Sequence, residues 1–184
     1  GKVCFRKIDT SGTEVLTVCR DKLEGNPGQI ALETRLRLST VHQYKEVIVR
    51  AWDPKTKKAI VGKATTPDES FDGTVGGART GKALYGSASS GRVYQVVDRP
   101  VNSKEEAEVL AQGILNRLAL DFVTGEVTTW GFPKANPGDM LKLVGFGTRF
   151  SGKYLITGVV HELEAQSGYR TRFMIARNAL PDPR

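Results

Sequence analysis

Cysteine, histidine, methionine and tryptophan are scarce in these 184 residues, at two each. Cys4 and Cys19 form no CxxC pair and have no histidine nearby, which argues against a zinc site. Two histidines leave little room for acid–base chemistry. His161 falls on a strand next to Glu162, whose side chain points to the opposite face. No serine or cysteine nucleophile has an evident partner. His161 therefore reads as a structural histidine rather than a general base. His42 falls in a turn and reads as solvated. Gly73–Gly81 (GTVGGARTG) is glycine-rich but lacks the GKS or GKT ending of a phosphate loop. No catalytic set remains, and no cofactor or metal site is expected. No apolar run approaches the ~20 residues of a membrane span, and no signal peptide is visible. The chain opens GKVCF without an initiator methionine, so it reads as a piece of something longer.

Hydrophobic residues make up 39% and charged residues 26%. That composition excludes a disordered chain and is enough for a buried core. The net charge is +7, which permits an acidic partner. The basic residues are dispersed along strands rather than clustered. Solvated strand faces are thus favoured over a nucleic-acid site.

One segment is strongly helical, within Asp98–Phe122. Pro100 closes the preceding extended run. Ser103 and Glu106 make a capping box, and Glu105, Glu106 and Glu108 suit the helix dipole. Apolar side chains recur at Ala107, Leu110, Ala111, Ile114, Leu118 and Phe122, with Val109 and Leu115 widening the stripe. Gly125 is the expected stop.

The rest reads as strands. Lys2–Ile8 and Glu14–Arg20 suit a hairpin turning at Ser11-Gly12, which sets Cys4 opposite Cys19. Two reduced neighbours are the first reading there, and a disulfide the second. Ala31–Ser39 alternates as a half-buried strand. Lys45–Trp52 and Lys58–Ala64 flank a turn at Asp53–Thr56. Residues 65–92 are rich in Gly, Ser and Thr and read as a linker, with a short helical turn near Lys82–Tyr85. Val93–Val97, Glu126–Thr129 and Met140–Val144 are further strands, with an aromatic loop at Trp130-Gly131-Phe132-Pro133. Lys153–Leu163 is apolar on both faces and is expected to be a central strand covered on both sides. Tyr169–Ala176 alternates Tyr169, Thr171, Phe173 and Ile175 against Arg170, Arg172 and Met174. The expected class is mainly β with one long helix: a small antiparallel β-barrel packed with a helix, preceded by a β-rich partial domain. The expected division is 1–64, a linker at 65–92, and 93–184.

The line VVDRPVNSKEEAEVLAQGILNRLALDFVTGE, followed by NPGDMLKLVGFGTRFSGKYLITGVVHELEAQSGYRTRFMIARN, resembles the hub proteins of contractile injection machines. These are the phage late-control D proteins and the hub part of VgrG-type spikes. VIVRAWDPKTKKAIVGKA resembles the strand pair between the barrels of that family. The resemblance covers about Leu32 to Asn178. It implies a non-enzymatic structural protein that forms a homotrimer when full-length. Each chain of such a hub supplies two related small barrels, offering sixfold symmetry to a tail tube protein and threefold symmetry to a spike protein. It also implies a place in a virion tail, baseplate or injection particle, assembled in the bacterial cytoplasm. Without its N-terminal portion the chain alone is expected to be a monomer or weak oligomer.

The candidate assembly surface is the Trp130–Pro133 loop with the strand that follows Gly168. Its residues are Trp130, Phe132, Arg170 and Arg172, the two arginines facing acidic groups on a neighbour. A competing reading is a basic β-barrel that binds nucleic acid, with Trp130 and Phe132 stacking on bases. A cell-wall hydrolase fragment is a third.

Overall fold

The computed structural model describes residues 13–21, 28–67, 80–84 and 91–180. In chain order its elements are β1 (Glu14–Cys19), β2 (Gln29–Ile30), β3 (Glu33–Leu38), β4 (Glu46–Asp53), β5 (Lys58–Ala64) and α1 (Gly81–Leu84). There follow β6 (Val93–Val96), α2 (Lys104–Leu120), β7 (Val123–Trp130), β8 (Met140–Val144), α3 (Gly147–Phe150), β9 (Gly152–Glu164) and β10 (Gly168–Arg177). The class is as expected, mainly β with one long helix. The chain divides into two compact units. The first draws its described residues from Gly1–Arg37 and Thr124–Ala176, the second from Leu38–Val123 and Arg177–Asp182.

The first unit is a seven-stranded sheet in the order β2-β1-β8-β9-β10-β7-β3, curled into a half-barrel. β9 pairs antiparallel with both β8 and β10, whereas β1 runs parallel to both of its neighbours, β2 and β8. The expected alternation of β10 holds through Thr171, Phe173 and Ile175, all buried. They join Val18, Leu141, Leu143, Tyr154 and Ile156 in the core. Tyr154 satisfies its buried hydroxyl by donating to the Phe150 carbonyl at 2.8 Å, as a buried phenol must. Cys19 is a buried free thiol. Cys4 and the Lys2–Ile8 arm of the expected hairpin lie outside the described residues.

β9 departs from expectation. Its first half is covered, with Tyr154, Leu155 and Ile156 buried, but Leu163 is 82% exposed. The register with β8 ends at Leu155, and Gly138 and Asp139 carry its hydrogen bonds only as far as Ile156. From Thr157 onward β9 pairs on one side alone among the described residues, with β10. An apolar strand is covered on both faces only where layers exist to cover it, and here the hairpin outruns them.

Glu14 on β1 accepts a hydrogen bond from the Lys153 ammonium at 2.9 Å. That bond is the main cause holding the Glu14 carboxyl below its usual pKa, with its own backbone N–H next. A carboxyl depressed in the folded state stabilises fully above the unfolded value of about 4.3 and loses that contribution as pH falls through the folded value. Lys153→Met is therefore expected to lower stability at pH 7 by less than about 1 kcal/mol, the pair being partly exposed. The difference from the parent should close as pH falls through the folded value. Urea midpoints measured across pH check this; a gap unchanged at acid pH contradicts it.

The second unit packs α2 on a three-stranded sheet, β5-β4-β6. The expected β4–β5 hairpin forms, in register from Val47↔Ala64 to Asp53↔Lys58. Its turn is held by Asp53, whose carboxylate accepts from Thr56 Oγ1 (2.6 Å) and from the Lys55 N–H (2.9 Å). These bonds, Thr56 first, keep the carboxyl below its usual pKa. β6 runs parallel to β4. α1 lies where the short helical turn is expected.

Ser103 caps α2, its hydroxyl accepting from the Glu106 N–H at 3.1 Å. The return bond is displaced by one residue: the Glu106 carboxylate accepts from the Asn102 N–H rather than from that of Ser103. The helix ends at Leu120 with Asp121 as its C-cap. Gly125 is not the stop; it lies inside β7. A Cβ there would sit 2.5 Å from the Arg35 carbonyl oxygen and 2.6 Å from Leu36 Cδ2. The glycine serves strand-to-strand approach, not helix termination. The buried face of α2 is Ala107, Ala111, Leu115 and Ala119, packed with Val47, Val49, Val96 and Val101. Leu110, Ile114 and Leu118 flank it, partly buried.

Gly113 lies in the middle of α2, and a Cβ there would meet nothing within 4 Å. Gly113→Ala is expected to stabilise by about 0.5–1 kcal/mol, because alanine loses less backbone entropy on forming helix. A higher denaturation midpoint is the readout, and a lower one contradicts it.

Candidate functional site

The strands β9, β10 and β7 each place charged or aromatic side chains on one face and core residues on the other. On β7 the core positions are Val127 and Thr129, and Glu126, Thr128 and Trp130 alternate with them. On β10, Arg170 and Arg172 alternate with Thr171 and Phe173. A groove of about 150 Å³ opens on this face, lined by Glu33, Thr34, Arg35, Glu126, Thr128, Glu162, Arg170 and Arg172. Three carboxylates and three guanidiniums thus share one small polar surface.

Two of the contacts are specific. Arg172 donates to the Glu162 carboxylate. Both side chains are 40% exposed, so the pair orders the surface more than it stabilises the fold. Arg170 lies over the Trp130 ring, 5.9 Å from its centroid, a cation–π contact. The Arg170 Nε is buried with no acceptor. Trp130 is 53% exposed. It ends β7 rather than lying in a loop.

Three of the four residues singled out from sequence, Trp130, Arg170 and Arg172, therefore meet on one face. Phe132 is half-buried beyond the end of β7, and its N–H donates to Thr171 Oγ1 at 2.8 Å. Gly131 between them is required: a Cβ there would overlap the Tyr169 ring. The backbone continues the pairing at this point, the Gly131 N–H donating to the Tyr169 carbonyl at 2.8 Å.

His161 belongs to a polar cluster on the other face of the hairpin. Its Nδ1 lies 3.0 Å from the Tyr169 hydroxyl and 3.3 Å from Thr171 Oγ1. Those contacts hold the ring in place. His42 is half exposed and pairs with the Asp121 carboxylate at 2.8 Å. Among the described residues no group of three or more His, Cys, Asp or Glu is placed to hold a metal ion. No helix of the described residues is long and apolar enough to cross a membrane.

A family model described as the Alg8 N-terminal domain matches residues 1–165. The chain belongs to the Alg8 N-terminal domain family. No curated protein matches it. Solved structures do. The tail protein from Neisseria meningitidis MC58 is 14% identical over 92% of this chain and 46% of that one, with a TM-score of 0.58. The 43 kDa tail protein of prophage MuSo2 from Shewanella oneidensis is 17% identical over 91% and 45%, also at 0.58. A chain in the virion of a native gene transfer agent particle is 13% identical over 90% and 32%, at 0.50. This member of the Alg8 N-terminal domain family therefore has the fold of phage and prophage tail proteins. It spans about half the length of the two tail proteins.

Glu33, Arg35, Glu126 and Glu162 escaped the search for site residues in sequence. Their alternation along each strand is legible there. Their convergence is not, because it needs the register between strands far apart in the chain.

Proposed function

We propose that the chain is a non-enzymatic structural component of a phage-type tail, the hub ring that joins a tail tube to a spike. The observation that carries this is the pair of edges left on the strand group β9-β10-β7-β3. β3 is the outermost strand at one side of the sheet among the described residues. At the other side β9 has no second strand beside it from Thr157 onward among the described residues, and Leu163 stands 82% exposed. Open edges with apolar side chains invite pairing with another chain. Two different edges on one subunit form a head-to-tail interface, which closes into a ring when the rotation allows. The likeness in fold to tail proteins, one of them in a virion particle, supports the same reading.

In this reading the full-length protein is a homotrimer with a tail tube protein and a spike protein as partners. It resides in a virion tail or baseplate and is assembled in the bacterial cytoplasm. Trp130, Phe132, Arg170 and Arg172 belong to the assembly surface. Nucleic acid is disfavoured as a partner because the basic side chains are dispersed along strands rather than clustered, and Arg170 already lies over the Trp130 ring.

Mass measurement of the full-length protein in solution tests the reading. A closed threefold ring is expected; a stable monomer at high concentration, or a twofold dimer, overturns it. Leu163→Lys is expected to abolish assembly while shifting stability by no more than about 0.5 kcal/mol, as for other exposed positions. Trp130→Ala is expected to weaken assembly more than folding.

A further inference from the structure

The strands β9, β10, β7 and β3 are neighbours in that order and alternate in direction. β9 and β10 pair antiparallel. Gly131, just past the end of β7, bonds Tyr169 at the start of β10, so β7 runs against β10. The Leu32 N–H donates to the Thr128 carbonyl and the Ser39 N–H to the Phe122 carbonyl, so β3 runs against β7. The outer strands β9 and β3 therefore point opposite ways. Rotation about an axis running along the strands keeps their direction. In such a ring β9 of the next subunit meets β3 as an antiparallel partner.

Charge alternates with the strands. On the face that holds the polar groove, β9 carries Glu162, β10 carries Arg170 and Arg172, and β7 carries Glu126. β3 carries Glu33 and Arg35 there. Side-chain alternation adds Arg37 to that face on β3 and Glu164 on β9. From Thr157 onward β9 has two acids and no lysine or arginine. The β3 edge is thus basic on balance and the β9 edge acidic. Like edges repel, and a β3 edge attracts a β9 edge. Among the described residues neither Arg35 nor Arg37 has an ion-pair partner. On the opposite face Leu36 of β3 is half-buried and Leu163 of β9 is 82% exposed.

We propose that β3 of one subunit pairs antiparallel with β9 of the next in a single register: Arg35 opposite Glu164, Leu36 opposite Leu163, and Arg37 opposite Glu162. This pairing presupposes the ring reading above. A slip of one residue sets leucine against charge. A slip of two residues one way sets Glu33 against Glu164, and the other way it carries Arg35 past the end of β9. Glu162 already accepts from Arg172. Glu164 is exposed and accepts from the Ser167 hydroxyl. A carboxylate can accept about four bonds, so Glu164 has acceptors left for Arg35.

The test uses the full-length protein. Arg35→Glu and Glu164→Arg, both at exposed positions, are each expected to weaken assembly about tenfold or more. Together they should restore most of the loss, because the pair is rebuilt with its signs exchanged. A double variant no better than either single overturns the register. A cross-link reads the same contact in a second way, since directly opposed Cβ atoms lie about 4.5–5.5 Å apart. Leu36→Cys protein mixed with Leu163→Cys protein is expected to give a disulfide-linked dimer under mild oxidation. Either variant alone should give no more than the parent with its own two cysteines. A threefold ring that forms without the mixed cross-link overturns this pairing and leaves the ring reading standing. The mixed cross-link in open chains of no fixed size supports the pairing and overturns the ring. A cross-link in either variant alone marks a twofold contact and overturns both.

Discussion

Gly62→Ala is expected to cost about 3 kcal/mol, at the upper end of ordinary overpacking. In a protein of this size that lowers the melting temperature by roughly 6–12 °C. Gly62 lies in β5 opposite Val49 and is buried beneath α2. A Cβ there would stand 2.5 Å from the Ala107 carbonyl oxygen and would also overlap the Ala107 carbonyl carbon and the Glu108 nitrogen. All three are backbone atoms of a hydrogen-bonded helix, so no side chain can swing aside. The helix must lift, and lifting it opens the contact between Ala107, Ala111 and the valines below. Thermal unfolding of the variant is the measurement, and a shift under about 2 °C would contradict this packing. Gly113→Ala, on the far side of the same helix, moves stability the other way. The two glycines separate space that is filled from space that is open.

Leu115→Ala is expected to cost about 2–5 kcal/mol, and Ile114→Ala clearly less. Leu115 is 3% exposed at the centre of the helix–sheet contact, whereas Ile114 packs against the margin of that cluster. Truncating the first leaves a void walled by the sheet; truncating the second leaves a hollow that water can enter. Chemical denaturation of the two variants side by side decides the order. A loss at Ile114 equal to or above that at Leu115 would mean that the helix is turned about its axis from the orientation described. Lys104→Ala, at the exposed start of the helix, is the control and should change little.

The orientation of α2 shows where sequence reasoning stops short. Periodicity gives a stripe of Ala107, Leu110, Ala111, Ile114, Leu118 and Phe122, and it centres on Leu110, Ile114 and Leu118 because leucine and isoleucine outweigh alanine in a hydrophobic count. The buried line is Ala107, Ala111, Leu115 and Ala119. A helix packed closely on a sheet needs small side chains where the backbones approach, and large ones at the flanks. Gly62 makes the same point from the strand side. Nothing in its local sequence says that a helix some forty residues later will rest on it.

The sequence by itself determined what local physics controls. The helix and its Ser103 cap are local, and so are the β4–β5 hairpin with its Asp53 turn, the bounds of β8, and the alternation of β10. Each depends on residues within a few positions of one another. Tertiary structure alone decided the rest. It set β1 parallel to β8, left the outer half of β9 uncovered, and put Gly125 in a strand rather than at a helix end. It also brought Glu33, Arg35, Glu126 and Glu162 beside Arg170 and Arg172. The physical reason is that alternation tells which face a side chain takes but not which strand lies next to it. That neighbour is chosen by burial summed over the whole sheet, a quantity no single stretch contains.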